Sequence, residues 1–471
     1  MRAILLIDFG STYTKLTAVD LDTPRILGHA QAFTTAASDI SIGLEHAMTR
    51  LRSVCGDLKY EARLACSSAA GGLNMVACGL VPTLTSKAAR MAAFGAGAKV
   101  IKTYAYQLTR ADIEEINAIK PDILLLSGGI DGGNSEVIIH NAGMLAKAAD
   151  DFPVVIAGNR TAQDECARML SSSAHPVFRA DNVMPQMNTL NIEPVAEVIR
   201  KIFLQRIILA KGLSRAKSLL DGILMPTPSA VLSALALLSQ GQGNDRGIGD
   251  LLAVDLGGAT TDVYSIAKGD PTNPTTVLRG LPEPVVKRTV EGDLGMRYNA
   301  RGVLEAAGAQ KLAELSGLGT QEVQVRIDHY HSDPAMLPQN TQDQALDTAL
   351  AVAAVGIALS RHAGALERVY TPVGPVYQQT GKDLSQTEQM IVTGGALIYA
   401  KNLNAIISGA LSMQDTMALT PRQVRLAIDR EYVLSAMGLL ADFDQKAALC
   451  LLIEYFGREE AYAVVEQKVG S

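Results

Sequence analysis

This 471-residue sequence contains no tryptophan, and only 4% of its residues are aromatic. It also lacks any dense run of lysine and arginine with interleaved aromatic side chains, and its formal net charge is −6. A nucleic-acid partner is therefore disfavoured, because such partners are bound through basic surfaces. The same charge balance gives no reason to expect attraction to a membrane.

Long apolar segments of the kind that cross a bilayer are also missing. The longest stretch without a charged residue, residues 222–244, is broken by prolines, serines, glutamines and glycines. Met1 and Arg2 lead straight into an apolar segment that Asp8 interrupts, so we expect no secretory signal. These features favour a cytoplasmic protein.

Cysteine is scarce as well. The five cysteines are scattered along the chain and include no C-x-x-C pair. An odd, dispersed set fits a reducing compartment better than a disulfide framework, and it offers no zinc-ligand spacing. We expect buried free thiols in a globular protein whose length suits two or three domains.

A short polar turn between two apolar segments lies near the start of the chain. Residues 4–7 are apolar and branched, as in a buried strand; Asp8 closes them, and Gly10, Ser11 and Thr12 form the turn. Glycine lets a ligand approach the backbone, while turn N–H groups and hydroxyls can donate to a phosphate. A carboxylate beside phosphates needs a cation between them, so Asp8 implies magnesium held through water. One such turn alone would equally suit an ordinary hairpin with a polar tip.

The same pattern returns in the second half of the chain, in the same register, after the apolar residues 251–254. The residues that repeat it are Asp255, Gly257, Gly258, Thr260, Thr261 and Asp262. Two further segments, residues 123–129 and 390–395, each end an apolar strand in a hydroxyl residue and two glycines. We interpret these pairs as equivalent parts of two related halves.

The elements expected between these motifs alternate between strand and helix, which predicts an α/β fold. We assign residues 1–210 to a first lobe, 211–420 to a second lobe, and 421–471 to a helical segment that docks on the body. Helix is expected from Thr420 to the end of the chain. The polar, glycine-marked residues 287–297 are interpreted as a helix entry that either lines a cleft or is a solvated cap.

With these motifs in this order, the sequence resembles the actin, sugar kinase and Hsp70 ATPase superfamily. Residues 8–12, 255–262 and 393–397 resemble its first phosphate, second phosphate and adenosine motifs, and residues 226–230 resemble the proline-threonine bend of Hsp70 proteins. The resemblance implies a duplicated actin-like (ribonuclease H-like) ATPase fold, with two lobes around a nucleotide cleft. It also implies ATP and Mg²⁺ as cofactors.

Over nearly its whole length the sequence is also similar to the MutL family encoded with adenosylcobalamin-dependent glutamate mutase, which is unrelated to the mismatch-repair protein of that name. Residues 7–15, 126–134 and 291–297 carry this likeness. The family implies an ATP-dependent reactivating chaperone that helps a mutase to release damaged cobalamin. The subunits of such a mutase, glutamate (methylaspartate) mutase above all, would be its partners.

These resemblances imply roles for individual residues. ATP would be gripped on one side by Gly10, Ser11, Thr12 and Lys15, and on the other by Gly257, Gly258, Thr260 and Thr261. Adenine would lie against Gly394 and Gly395. The carboxylates Asp8, Asp255 and Asp262 would order magnesium and its waters, with Asp8 and Asp255 nearest the metal. Asp131 is a candidate for orienting the attacking water, although a plain Asp-Gly turn also explains it.

Other functions within this superfamily remain open from the sequence. A small-molecule kinase of the sugar kinase type would need a general base directed at a substrate hydroxyl, and the sequence does not identify a residue for that role. An activator of a 2-hydroxyacyl-CoA dehydratase would need cysteines in a cluster-binding loop, which are not evident. An actin-like filament protein is a further alternative.

Overall fold

The computed structural model describes residues 1–10, 12–35, 39–68, 73–82, 84, 87–96, 98–209, 222–372, 374–458 and 463–466. They form two compact units. The first comprises Met1–Ser233 with Ser435–Ala448, and the second comprises Ala234–Leu434 with Leu449–Ser471. The predicted lobe boundaries stay predictions, and the first of them, at 210/211, lies outside the described residues.

The first unit contains two sheets and the helices that cover them. Its strands are β1 (Ala3–Phe9), β2 (Tyr13–Asp20), β3 (Arg25–Phe33), β4 (Tyr60–Ser67), β5 (Asn74–Gly79), β6 (Lys99–Ala105), β7 (Ile123–Leu126), β8 (Val154–Ile156), β9 (Val177–Arg179) and β10 (Gly222–Pro226). Its helices are α1 (Ile40–Cys55), α2 (Lys87–Gly95), α3 (Arg110–Ile119), α4 (Glu136–Leu145), α5 (Gln163–Leu170) and α6 (Glu193–Leu209), followed by the start of α7 (Thr227–Gln240).

The first sheet of this unit has the strand order β10-β4-β1-β2-β3. Strands β1, β2 and β3 form an antiparallel meander, whereas β4 pairs parallel with β1 and β10 pairs parallel with β4. All seven residues of β1 are buried, which is why its sequence is apolar throughout except for Asp8 and does not alternate with polar residues. The predicted first hairpin is therefore the centre of this sheet.

The second sheet of the unit is inserted in sequence between β4 and β10. Its five strands are all parallel, in the order β6-β5-β7-β8-β9. Numbered from β5, this is the doubly wound order 2-1-3-4-5. Residues 127–129, with their two glycines, follow β7 and so belong to this inserted sheet.

The second unit contains the other hairpin. Its strands are β11 (Gly241–Gln242), β12 (Asp245–Arg246), β13 (Leu251–Leu256), β14 (Thr261–Ile266), β15 (Thr276–Leu278), β16 (Val286–Glu291), β17 (Ala365–Thr371), β18 (Gly374–Thr380), β19 (Gln389–Thr393), β20 (Gln423–Ile428) and β21 (Ala463–Glu466). Its helices are α8 (Ala300–Ala307), α9 (Ala309–Ser316), α10 (Thr320–Ser332), α11 (Thr341–His362), α12 (Gly395–Ile398) and α13 (Leu403–Ser412); α14 (Val433–Phe443) and α15 (Gln445–Phe456) are divided between the units.

The main sheet of the second unit repeats the five strands of the first sheet and adds a sixth, β21, at its edge. Its order is β16-β14-β13-β19-β20-β21, with β13, β14 and β16 as the antiparallel meander and β19 and β20 added in parallel. This repeat confirms the predicted duplicated α/β fold.

Three predictions about individual segments are wrong. Residues 127–129 are not the equivalent of residues 393–395, because β19 lies beside the hairpin strand β13 and its counterpart in the first unit is β4. The expected helix entry at residues 287–297 is β16 and the turn after it. Residues 423–428 and 463–466, both expected to be helical, form the strands β20 and β21, which pair antiparallel with each other in the main sheet.

The core of the second unit is organised around α11. The side chain of Asn340 caps this helix by accepting from the Asp343 amide, and its small and branched residues pack in the main apolar cluster. Among the described residues, α11 is also long and apolar enough by composition to cross a membrane, but 67% of its most apolar stretch is buried. We therefore interpret it as a core helix.

A buried polar cluster lies at the far end of β14 from the hairpin turn. The ammonium of Lys382 donates to Ser265 Oγ at 3.1 Å and to the carbonyls of Pro284 and Val285 at 3.1 and 2.9 Å. His362 Nε2 lies 2.8 Å from the same Ser265 Oγ. Burial, assisted by the nearby Lys287, lowers the pKa of Lys382 to about 7, and burial holds the pKa of His362 well below 6.5.

Lys382 should make stability depend on pH. The folded-state pKa near 7 lies below that of an unfolded lysine, about 10.4. Between these values the unfolded chain binds the extra proton, so the cost of burying this lysine falls as pH rises. In urea titrations followed by circular dichroism, we expect the free energy of unfolding of the wild type, relative to Lys382→Met, to rise by roughly 2 kcal/mol from pH 7.5 to 9.5. Lys311→Met, at an exposed lysine, is the control; parallel curves for wild type and Lys382→Met would contradict the expectation.

Candidate functional site

The first hairpin closes on a tight turn at the end of β1. The amide of Gly10 donates to the carbonyl of Tyr13 at 3.1 Å, and Asp8 is paired across the strands with Lys15. A Cβ on Gly10 would lie 2.7 Å from the Tyr13 carbonyl oxygen, so this turn requires glycine. Thr12 is exposed at the tip, and Ser11 lies outside the described residues.

Asp8 is almost completely buried, with 4% of its surface exposed. Its Oδ1 accepts from Thr227 Oγ1 at 2.6 Å, and its Oδ2 accepts from Ser435 Oγ at 3.2 Å. The ammonium of Lys15 lies 3.6 Å from Oδ2, and Cys66 Sγ lies 3.6 Å from Oδ1. Burial, together with the Asp8 charge, raises the pKa of the Cys66 thiol well above its usual value, so this cysteine stays a neutral thiol.

The second hairpin has the same closing bond and register. The amide of Gly257 donates to the carbonyl of Thr260 at 2.9 Å, and Asp255 is paired with Asp262, at the position that Lys15 occupies in the first hairpin. Gly258 is exposed at the tip, whereas Thr261 is buried and donates to the Leu294 carbonyl at 2.7 Å.

The end of the segment 287–297, which was expected to begin a helix, supports the tip of the second hairpin together with Asn299. The amides of Met296 and Arg297 donate to the carbonyls of Gly257 and Gly258 at 3.1 and 2.8 Å. Asn299 Nδ2 donates to the Ala259 carbonyl at 2.6 Å. These supporting residues were missed, because their contacts join segments about 40 residues apart in sequence. The glycine-marked run was the only signal for them.

Asp262 is held by a buried ion pair. Its Oδ1 accepts from Arg288 Nε at 2.9 Å and from Nη2 at 2.6 Å, and the two side chains are 12% and 5% exposed. Burial lowers the pKa of Arg288, but the Asp262 carboxylate and the Tyr264 side chain together outweigh burial, so the pKa is raised. Two like charges directly opposite each other destabilise a strand pair. Arg288 on β16 therefore compensates for Asp255 and Asp262 facing one another across β13 and β14.

The double glycine of the predicted adenosine motif follows β19 immediately. Gly394 has a φ of +86°, and a Cβ there would lie 2.5 Å from Asp255 Oδ1. Gly394, which is predicted to contact adenine, and Asp255, which is predicted to bind the metal, therefore lie close together in the second unit. Thr393 Oγ1 donates to Asp429 at 3.4 Å, and Asp429 in turn accepts from the amides at the start of α14. Asp429 was not singled out from the sequence.

Asp131 lies elsewhere, in the loop after β7 of the inserted sheet. Its Oδ1 accepts from the Arg160 amide and from Asn182 Nδ2, both at 2.9 Å. These contacts hold the glycine-rich loop in place, which agrees with the turn interpretation of this residue. A role in orienting water stays a prediction.

Comparison with known proteins identifies a family and finds similar curated and solved proteins. Residues 4–456 match the model of a family described as "MutL protein". A curated relative, "Protein MutL" of Clostridium tetanomorphum, is 47% identical over 458 residues, which cover 97% of this chain and 99% of the relative. Among solved structures, a nucleotide-free diol dehydratase-reactivating factor is 10% identical with a TM-score of 0.36, covering 95% of this chain and 100% of that one. A ligand-bound xylulose kinase from Lactobacillus acidophilus is 10% identical with a TM-score of 0.37, covering 99% and 94%.

The Arg288–Asp262 pair should be required for the second hairpin to fold. Arg288→Met leaves a buried carboxylate without its cation, and we expect a loss of about 3–5 kcal/mol in the free energy of unfolding, measured by urea titration. Adding Asp262→Asn should recover most of that loss. Arg301→Met is the matched control, because its pair with Asp328 is exposed and worth less than about 1 kcal/mol. Equal effects of Arg288→Met and Arg301→Met would refute the assignment.

Proposed function

This chain belongs to the MutL family, and from that membership we propose that it is an ATP-dependent reactivating chaperone for an adenosylcobalamin-dependent mutase, with glutamate (methylaspartate) mutase as the first client to test. The observation that carries the proposal is the family match along residues 4–456, together with two hairpins of one design at equivalent positions in the two units. ATP binding and hydrolysis would release damaged cobalamin from the mutase.

Each hairpin supplies groups suited to phosphate. Gly10 and Gly257 allow close approach of the backbone, and the exposed Thr12 and Gly258 stand at the tips. Lys15 adds the positive charge. It lies 3.6 Å from Asp8, a longer contact than a tight charge-assisted hydrogen bond, so a phosphate can compete for it. That both hairpins hold the same nucleotide stays a prediction, and a variant in each unit tests it.

The carboxylates fit magnesium better than a softer metal. Among the described residues no group of three or more His, Cys, Asp or Glu side chains could form a complete protein cage for a metal. Mg²⁺ is typically held by one or two carboxylates, with phosphates and water completing its shell. Asp8 and Asp255 would supply these carboxylates. The metal would neutralise phosphate charge, and the protein groups would orient it.

Nucleotide hydrolysis can then alter how the protein holds its client. Loss of the γ-phosphate would remove the interactions that Lys15 and the turn amides make with it. The protein with ATP bound and the protein with ADP bound would then favour different conformations. A mutase subunit that binds one of these nucleotide forms more tightly would be bound and released as ATP is hydrolysed and exchanged. We propose a cytoplasmic role of this kind, with the mutase subunits as partners and with no nucleic-acid or membrane partner.

Variants in the two hairpins test nucleotide binding. We expect Lys15→Ala and Thr260→Ala each to weaken the binding of a fluorescent ATP analogue in Mg²⁺ by about 10-fold, because each removes one donor to phosphate. Lys59→Ala, at an exposed lysine of the first unit, should bind like the wild type. If only the Lys15 variant loses affinity, the second hairpin does not contact the nucleotide.

The client is tested directly by reactivation. Inactivated glutamate mutase is mixed with the chain, ATP, Mg²⁺ and fresh adenosylcobalamin, and we expect mutase turnover to recover. Omission of ATP should abolish the recovery, and Lys15→Ala should reduce it. No recovery in the complete mixture would remove this client. ADP release that depends on an added sugar would instead support the kinase alternative.

A further inference from the structure

The geometry around Asp8 points to two residues that the proposed function does not yet use. We propose that Thr227 and Ser435 are positioning residues, which hold the Asp8 carboxylate in one orientation so that it can order the magnesium of a bound nucleotide. The inference rests on the proposed function, because it concerns the same carboxylate. The two hydroxyls come from helices far apart in sequence. Thr227 lies in the proline-threonine bend of residues 226–230, but nothing in that motif indicated a contact with Asp8, and no motif indicated Ser435.

Thr227 reaches Asp8 from the start of α7. Strand β10 lies two places from β1 in the first sheet and ends at Pro226, so the first residue of the helix emerges at the edge where β1 ends. Its Oγ1 donates to Asp8 Oδ1 at 2.6 Å. A hydroxyl bonded to a carboxylate at this distance is a short, charge-assisted hydrogen bond.

Ser435 reaches the other carboxylate oxygen from α14. It is 5% exposed, and its Oγ donates to Asp8 Oδ2 at 3.2 Å across 427 positions of sequence. The two helices are themselves in close contact, because a Cβ on Gly438 of α14 would lie 1.9 Å from the carbonyl oxygen of Ala230 on α7. Glycine at this contact lets α14 approach closely enough to bring Ser435 to Asp8.

Together the hydroxyls restrain the carboxylate at both oxygens. A carboxylate offers about four acceptor positions, two on each oxygen. Thr227 and Ser435 take one position on each oxygen, which fixes the plane of the group. Lys15 is a longer contact, at 3.6 Å on Oδ2. Movement of this lysine to a phosphate would free an acceptor position on Oδ2 without rotating the carboxylate.

The test separates magnesium recognition from nucleotide recognition. Binding of a fluorescent ATP analogue is titrated with Mg²⁺, and the same analogue is bound in excess EDTA. For Thr227→Val and Ser435→Ala we expect the Mg²⁺ concentration at half-maximal binding to rise about 10-fold, the effect of losing one hydrogen bond to a charged group. Affinity in EDTA should stay within about 2-fold of the wild type, because both hydroxyls donate to Asp8 and would act through that carboxylate rather than on the phosphates.

Controls separate positioning from folding. Thr227→Ser keeps the hydroxyl and should restore the wild-type Mg²⁺ midpoint. Ser173→Ala removes a hydroxyl whose bonds, to the Leu170 carbonyl and from the His175 amide, are local, and it should leave the midpoint unchanged. Thermal melts by circular dichroism confirm that each variant is folded. Unchanged Mg²⁺ midpoints in Thr227→Val and Ser435→Ala would overturn this inference but not the proposed function. A wild type that binds no magnesium nucleotide would overturn the proposed function as well.

Discussion

The burial of a carboxylate next to the turn of each hairpin, Asp8 in the first and Asp262 in the second, is the constraint on which this structure depends. Removing an unpaired carboxylate from water costs several kcal/mol, so each must be paired or hydrogen-bonded within the fold. Asp8 is satisfied by two hydroxyls and a lysine, and Asp262, which faces Asp255, is satisfied by Arg288. These partners come from other strands and helices, and so the charges tie the hairpins to the rest of each unit.

The two hairpins have the same backbone arrangement, but the charges on their side chains differ. The residue opposite the strand-end aspartate is Lys15 in the first hairpin and Asp262 in the second. The first hairpin therefore offers a cation near its turn, while the second concentrates negative charge that Arg288 offsets. Under the proposed function, Lys15 gives the first hairpin a cation for phosphate at the position where the second hairpin has Asp262.

Much of the fold was predictable because its signals are local. An apolar run closed by aspartate and followed by glycine defines each hairpin within about a dozen residues, and the recurrence of that pattern revealed the duplication. Errors arose where similar local signals occur in different sheets. Two glycines follow both strand β7 and strand β19. Only β19 pairs with a strand of a phosphate-type hairpin, β13, whereas β7 pairs with β5 in the inserted sheet. Similarly, β20 is a strand because β19 and β21 flank it, which its own sequence does not reveal.

The candidate site divides in the same way. The sequence by itself determined the two turns, the glycines that shape them and the aspartates that precede them, because these depend on neighbours a few residues away. Only the tertiary structure decided what surrounds those aspartates. Thr227, Ser435 and Arg288 reach their carboxylates through pairing and packing of distant segments. Such contacts depend on which strands and helices become neighbours, and no short-range pattern encodes that choice.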